Sequence, residues 1–292
     1  MREDVAVTSN GLTCRGWFYK AGKSASPAIV MSHGFSAVKE QSLDSFARRF
    51  QAAGFAVLVF DYRFLGSSEG EPRGRIIPAE QHDDLRAALA WLSARSDIDA
   101  NRIGMWGTSY SGGHTLVMAA LDPRVKVAVA QVPAVDLMAS IIALAGREGL
   151  NGLLEIFAAD HAARNSGKAG ATVAVVAPPG EMSVLSTLDS FHWFTASAVP
   201  NWRNETTIDS VARLIEYAPK NFIRLIAPKP LLIQAGTRDA LIPIELVREA
   251  FAHAGEPKRL DEFDCGHFDL YDTGRWHEQA ASGAVEWFAK YL

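Results

Sequence analysis

The chain has 292 residues, 48% of them hydrophobic and 21% charged, a globular composition that excludes a disordered or fibrous protein. Its formal net charge is −4, with neither a basic surplus nor an acidic tail, so neither nucleic-acid binding nor a solvating interaction segment is indicated. Two cysteines, Cys14 and Cys265, cannot build a disulfide framework and have no zinc-ligand spacing. The length suits one large domain or one domain carrying an insertion. The charged start, Met1 to Val7, lacks the apolar run of a signal peptide, and no stretch approaches ~20 uninterrupted apolar residues. The expectation is a cytoplasmic protein without a transmembrane helix.

In chain order, Asp4–Ser9 and Thr13–Tyr19 read as strands joined by a two-residue turn at Asn10-Gly11. Gly22 to Pro27 is small and polar, a loop. Ala28 to Met31 is a continuous apolar run ending in Ser32-His33-Gly34-Phe35, the pattern of a strand buried on both faces. Residues 41–53 follow with helical spacing, Leu43, Phe46, Ala47 and Phe50 on one side, and Gly54 closes them. Phe55–Phe60 is the next strand, residues 79–94 an amphipathic helix, and Arg102–Trp106 a third buried strand. A helix at His114–Leu121 and a strand at Val125–Val132 complete a run of alternating strands and helices, which predicts a mostly parallel sheet with helices on both faces.

The alternation breaks after Pro133. Residues 134–219 read as helical or irregular, rich in alanine, and are expected to form an inserted helical cap; Val173–Val176 inside it fits a short strand or a helical segment equally. The sheet resumes with Pro230–Ala235, followed by a helix at Ile244–His253, a strand at Arg259–Phe263 and a final helix at Trp276–Leu292. The core is then 1–133 and 220–292.

The local signal with most chemical content is Gly107-Thr108-Ser109-Tyr110-Ser111, set between a buried strand and a helix. A sharp strand-to-helix turn thrusts its middle side chain out at the carboxyl edge of a sheet, and small residues two before and two after relieve the crowding. The usual pattern ends in glycine; here Ser111 stands there, and Ser109 keeps the central register. A serine hydroxyl needs a base near neutral pH. Asp239 follows the strand ending at Ala235, and His267 follows the strand ending at Phe263, so acid and histidine come after the serine in the required order. His267 would take the proton of Ser109, with Asp239 orienting the ring. The backbone N–H groups of Tyr110 and Phe35 are the candidate oxyanion donors.

Ser32-His33-Gly34-Phe35, Phe60-Asp61-Tyr62-Arg63, Gly66-Ser67-Ser68-Glu69-Gly70, the Ser109 motif, Gly236-Thr237-Arg238-Asp239 and Gly266-His267 together resemble the α/β-hydrolase superfamily. The match is similar to its dienelactone-hydrolase-like and X-Pro-dipeptidyl-peptidase-like (S15) bacterial branch. It covers the core and leaves 134–219 weakly matched. The resemblance implies the α/β-hydrolase fold and hydrolysis of esters, thioesters or amides with no metal or organic cofactor. Dienelactone hydrolases use a cysteine nucleophile; Ser109 in that place argues against their particular substrate.

Other residues have plainer readings. His33 is expected to hold its loop, and Asp61 with Arg63 to form a structural pair. His82, Asp83 and Asp84 are read as the start of a helix, where acids offset the positive helix end. Cys265 is a small core filler. Phe191, Trp193, Phe194 and Trp202 either line an apolar acyl pocket or pack the cap onto the core. A carboxylesterase-like enzyme acting on a small-molecule acyl substrate is expected. A peptidase of X-Pro type, an acyltransferase or thioesterase, and a non-catalytic scaffold are the alternatives, and a homodimer stays open.

Overall fold

In the computed structural model, which describes residues 2–22, 25–271 and 274–292, β1 (Arg2–Ser9) and β2 (Leu12–Tyr19) pair antiparallel with Ser9 opposite Leu12. Asn10 and Gly11 turn the chain at φ 47° and 82°; positive φ at both positions gives a hairpin turn whose twist matches its strands. Part of the loop expected at Gly22 to Pro27, residues 23 and 24, lies outside the described residues. The chain continues through β3 (Ser26–Ser32), α1 (Leu43–Ala52), β4 (Ala56–Phe60), α2 (Pro78–Ser93), β5 (Ile98–Thr108), α3 (Tyr110–Leu121) and β6 (Val125–Gln131). It then passes α4 (Leu137–Asn165), β7 (Thr172–Val173), α5 (Leu188–Ala196), β8 (Thr206–Thr207) and α6 (Ile208–Ile215). It returns with β9 (Leu231–Gly236), α7 (Ile244–Ala252), β10 (Lys258–Phe263) and α8 (Arg275–Tyr291).

Eight strands form one sheet in the order β1-β2-β4-β3-β5-β6-β9-β10. β2 meets β4 antiparallel, and every pair from β4 to β10 is parallel. This is the α/β-hydrolase fold. Alternation along each strand divides the apolar residues between two layers: Val30 and Leu58 face α2 and α3, while Ile29, Met31, Val57 and Val59 face α1 and α8. On the second layer α1 buries Leu43, Phe46, Ala47 and Phe50, and Phe46 lies 4.8 Å from Trp106, ring centre to ring centre. Each of the leucine and phenylalanine side chains contributes ~1.5–3 kcal/mol when removed from water.

α3 starts at Tyr110, immediately after Ser109, four residues before the start expected from sequence. Its first turn, Tyr-Ser-Gly-Gly, has poor intrinsic helix propensity; packing supplies what propensity lacks. A β-carbon at Gly112 would lie 2.8 Å from the Pro133 Cα, and one at Gly113 would lie 2.6 Å from the Ala134 carbonyl oxygen.

Residues 134–219 separate β6 from β9, which are neighbours in the sheet. α4 bends at Gly146, whose φ of 67° and ψ of 178° lie outside the helical region. The doubt at Val173–Val176 resolves as Thr172–Val173 in a two-residue antiparallel pairing with Thr206–Thr207, and irregular chain beyond. By length and composition α4 alone among the described helices suffices to cross a membrane, which the uninterrupted-run criterion passed over. It packs along α6, with Arg147 and Glu148 beside the bend.

Candidate active site

The chain leaves β3 for β4 on one side and returns to β5 on the other, so β3 and β5 flank a topological switch point. In open α/β sheets the crevice beyond the carboxyl ends of such strands is where ligands bind. Two segments occupy it here: Ser32 to Phe35 after β3, and Ser109 after β5.

Ser109 sits at φ 55°, ψ −119°, a conformation costly for a residue with a side chain. Its neighbours hold it there. Its N–H donates to the Gln131 carbonyl at 2.8 Å, and its carbonyl accepts from Gly113 at 3.1 Å and Ala134 at 2.9 Å. Position 107 must be glycine, because a β-carbon would lie 2.2 Å from the Ser111 carbonyl oxygen. Ser111, where the common pattern has glycine, is fully buried and its Oγ lies 2.8 Å from the Tyr62 hydroxyl. That engagement separates the two serines.

The Ser109 Oγ lies 3.1 Å from the His267 Nε2, and the His267 Nδ1 lies 2.6 Å from the Asp239 Oδ2. The other carboxylate oxygen, Oδ1, accepts from the N–H groups of Leu241 at 2.8 Å and Ile242 at 2.9 Å. With the carboxylate so held, Nδ1 is the donor and Nε2 the acceptor facing the serine. The Tyr110 N–H is the first of α3 and has no partner within its helix; the Phe35 N–H follows Gly34, whose β-carbon position is 3.2 Å from the Ser109 Cβ. Among the described residues neither N–H is bonded to an acceptor. The arrangement can activate a hydroxyl, shuttle its proton and receive an oxyanion.

Beside Ser109 opens a cavity of about 280 Å³, lined by Phe35, Leu137, Ile141, Leu153, Leu214 and Ile242 among others, and among the described residues no ionisable acid or base lines it other than the Tyr110 phenol. α4 supplies lining from both sides of the Gly146 bend. Of the four aromatics expected at a pocket, Trp193 and Phe194 border a smaller space with Ser109 and His267. Phe191 and Trp202 border neither. Trp202 donates from Nε1 to the Ser36 carbonyl at 3.0 Å and stacks on Phe194 at 5.3 Å. Successive helical residues are turned by 100°, so the run 191–194 cannot present every ring to one side. The aliphatic lining was missed, although Leu137, Ile141 and Leu144 carry the i, i+4, i+7 spacing that marks a helix face. Tyr271 was also missed: its hydroxyl lies 3.2 Å from the His267 Nε2.

The surrounding charged groups correct several expectations. Asp61 and Arg63 do not pair. Asp61 takes the Lys39 N–H and ammonium, both at 2.7 Å, and Ser67. Arg63 binds Asp84 through Nε at 2.9 Å and Nη2 at 2.7 Å. Asp84 is fully buried in the second turn of α2, so it serves this ion pair and not the helix end. His82 joins a cluster in which the Tyr217 hydroxyl lies 3.0 Å from its Nε2 and 2.6 Å from the His114 Nδ1. Burial lowers His82 from 6.5 to about 4 and holds His114 well below its ordinary value, so both rings are neutral. His33 is buried, with Nδ1 at 3.0 Å from the Gly34 carbonyl. Burial pushes the Cys265 thiol up to about 12, away from the thiolate that nucleophilic attack requires.

Residues 17–177 match the model of the X-Pro dipeptidyl-peptidase (S15) family. The quorum-quenching protein AidA of Acinetobacter baumannii (strain MDR-ZJ06) is 32% identical over 99% of this chain and 95% of its own length. Thiohydrolase aneE of Aspergillus aculeatus is 31% identical over 90% of this chain and 85% of its own. The crystal structure of α/β-hydrolase GrgF from Penicillium sp. sh18 superimposes with a TM-score of 0.86 at 27% identity, covering 100% of this chain and 99% of that one.

Proposed function

The chain belongs to the X-Pro dipeptidyl-peptidase (S15) family of α/β-hydrolases, and from that premise we propose that it is a serine hydrolase cleaving carboxylic esters of medium-length apolar acids. The observation that carries the reading is the continuous hydrogen-bond line from Ser109 through His267 to Asp239. Ser109 attacks the acyl carbonyl as its proton passes to Nε2 of His267. The oxygen that gains charge is met by the N–H groups of Tyr110 and Phe35. The protonated histidine returns its proton to the leaving alcohol, and a water activated by the same nitrogen then releases the acid from Ser109.

The acyl group enters the cavity capped by α4 and α6. A cavity of about 280 Å³ lined by aliphatic side chains suits a medium-length acyl chain. Among the described residues no carboxylate lines that cavity to receive a peptide's amino terminus, so the peptidase reading ranks below. A thioester of the same acid is the second reading; the 31% identical thiohydrolase favours it. The two cysteines, both unpaired and buried, fit a reducing compartment such as the cytoplasm.

The test is release of p-nitrophenol from acetyl, octanoyl and palmitoyl esters by the native chain and by Ser109→Ala, together with labelling by a fluorophosphonate. Octanoyl preference that collapses in the variant supports the ester reading. Labelling of Ser109 without ester turnover moves the assignment to the thioester, and absence of labelling ends it.

A further inference from the structure

We propose that Tyr271 is a positioning residue for His267, its hydroxyl holding Nε2 in line with Ser109 in both charge states of the imidazole; this rests on the serine-hydrolase reading above. Two hydroxyls address the same ring nitrogen: Ser109 at 3.1 Å and Tyr271 at 3.2 Å. With Nδ1–H given to Asp239, Nε2 has a single lone pair, which the two share. Once Ser109 has transferred its proton, Nε2 is a donor. A phenol rotates its O–H and offers its oxygen instead, so one group serves both states. An ammonium or a carboxylate in that place could serve only one.

The phenol is placed for this and for little else. Tyr271 lies four residues after His267, across the single 3₁₀ turn Phe268–Leu270, and its N–H donates to the Phe268 carbonyl at 3.0 Å. Trp193 meets its ring edge-on at 5.2 Å and Phe268 at 5.4 Å. The ring is buried, and burial holds the phenol far above its ordinary titration range, so it stays a neutral hydroxyl and cannot itself act as the base. The Thr108 and Ser109 side chains are its other polar neighbours. Tyr271 does not line the 280 Å³ cavity but borders the smaller space with Ser109, His267, Trp193 and Phe194, so its hydroxyl faces the proton transfer and lies away from the larger acyl cavity.

The variant is Tyr271→Phe, which removes the hydroxyl and keeps the packed ring. A hydrogen bond to a charged partner corresponds to a roughly ten- to hundredfold change, and this one is strongest when the imidazole is charged. The expected result is therefore a kcat for the octanoyl ester lowered by roughly ten- to hundredfold, KM unchanged within about twofold, fluorophosphonate labelling of Ser109 slowed in step, and an unchanged melting temperature. Labelling and turnover within about twofold of native overturn the proposal, as does a loss of kcat that comes with an equal rise in KM and a lowered melting temperature. A native chain that fails to label overturns the serine-hydrolase reading and this proposal together. A native chain that labels, matched by Tyr271→Phe, removes the tyrosine's role alone.

Discussion

Asp239→Asn tests the hydrogen-bond line most sharply, because the surroundings dictate which way the new amide turns. Oδ1 of Asp239 accepts two backbone N–H groups, from Leu241 and Ile242, at 2.8 and 2.9 Å. An amide NH₂ cannot face two donors, so the asparagine oxygen takes the Oδ1 place and the NH₂ takes the Oδ2 place, 2.6 Å from the His267 Nδ1. Nδ1 must then accept, and the ring proton moves to Nε2. That nitrogen can no longer receive the Ser109 proton. In serine hydrolases of this layout the wrong tautomer lowers kcat by roughly 10⁴, which is about 5 kcal/mol of transition-state stabilisation. KM for a p-nitrophenyl ester should change little, and the melting temperature should hold because both backbone contacts survive. The assay is steady-state ester hydrolysis beside the rate of fluorophosphonate labelling. An Asp239→Asn variant that keeps more than about a tenth of native kcat would refute the orienting role; a fall of about four decades matches it.

Three further outcomes are expected. Asp84→Asn strips the buried Arg63 of its carboxylate partner at a cost of about 3–5 kcal/mol, which at 2–4 °C per kcal/mol lowers the melting temperature by roughly 6–20 °C; a shift under about 2 °C would show the pair to be dispensable. His82 has its folded value lowered from 6.5 to about 4, chiefly by burial, so as pH falls the unfolded chain takes up the proton first. Its contribution is complete above the unfolded value and is lost toward pH 4. His82→Gln should flatten the fall of melting temperature across that window, and an equally steep fall in the variant would exclude this histidine as the source. Ile141→Trp fills part of the acyl cavity; kcat/KM for the octanoyl ester should drop at least about tenfold while the acetyl ester is spared, and equal losses on both would place the acyl chain elsewhere.

Local chemistry made much of the fold legible. Strands buried on both faces must be apolar without a break, so Ala28–Met31, Phe55–Phe60 and Pro230–Ala235 stand out, and the helices between them force parallel pairing. The candidate site residues were legible for a related reason. Parallel strands end at one edge of the sheet, so Ser109, Asp239 and His267, each just past a strand end, share an edge however the loops run.

What sequence alone left open depends on the angle at which one element meets another. Asp84 looked like a helix-end acid until the placement of α2 set it against Arg63. The register of the motif favoured Ser109 over Ser111, but what occupies the Ser111 hydroxyl, Tyr62, only the packing shows. The aromatics Phe191, Trp193 and Phe194 suited a pocket wall and cap packing equally; α5 turns only part of the run toward Ser109, and aliphatic side chains of α4 and α6 line the larger cavity. Tyr271 carried no motif of its own; only the 3₁₀ turn swings its hydroxyl back to Nε2. Composition and periodicity are properties of one segment, and they determined the sheet and its edge. Contacts across segments depend on helix rotation and loop path, which one-dimensional spacing does not encode, so the cavity and the partners of each buried charge were decided by tertiary packing.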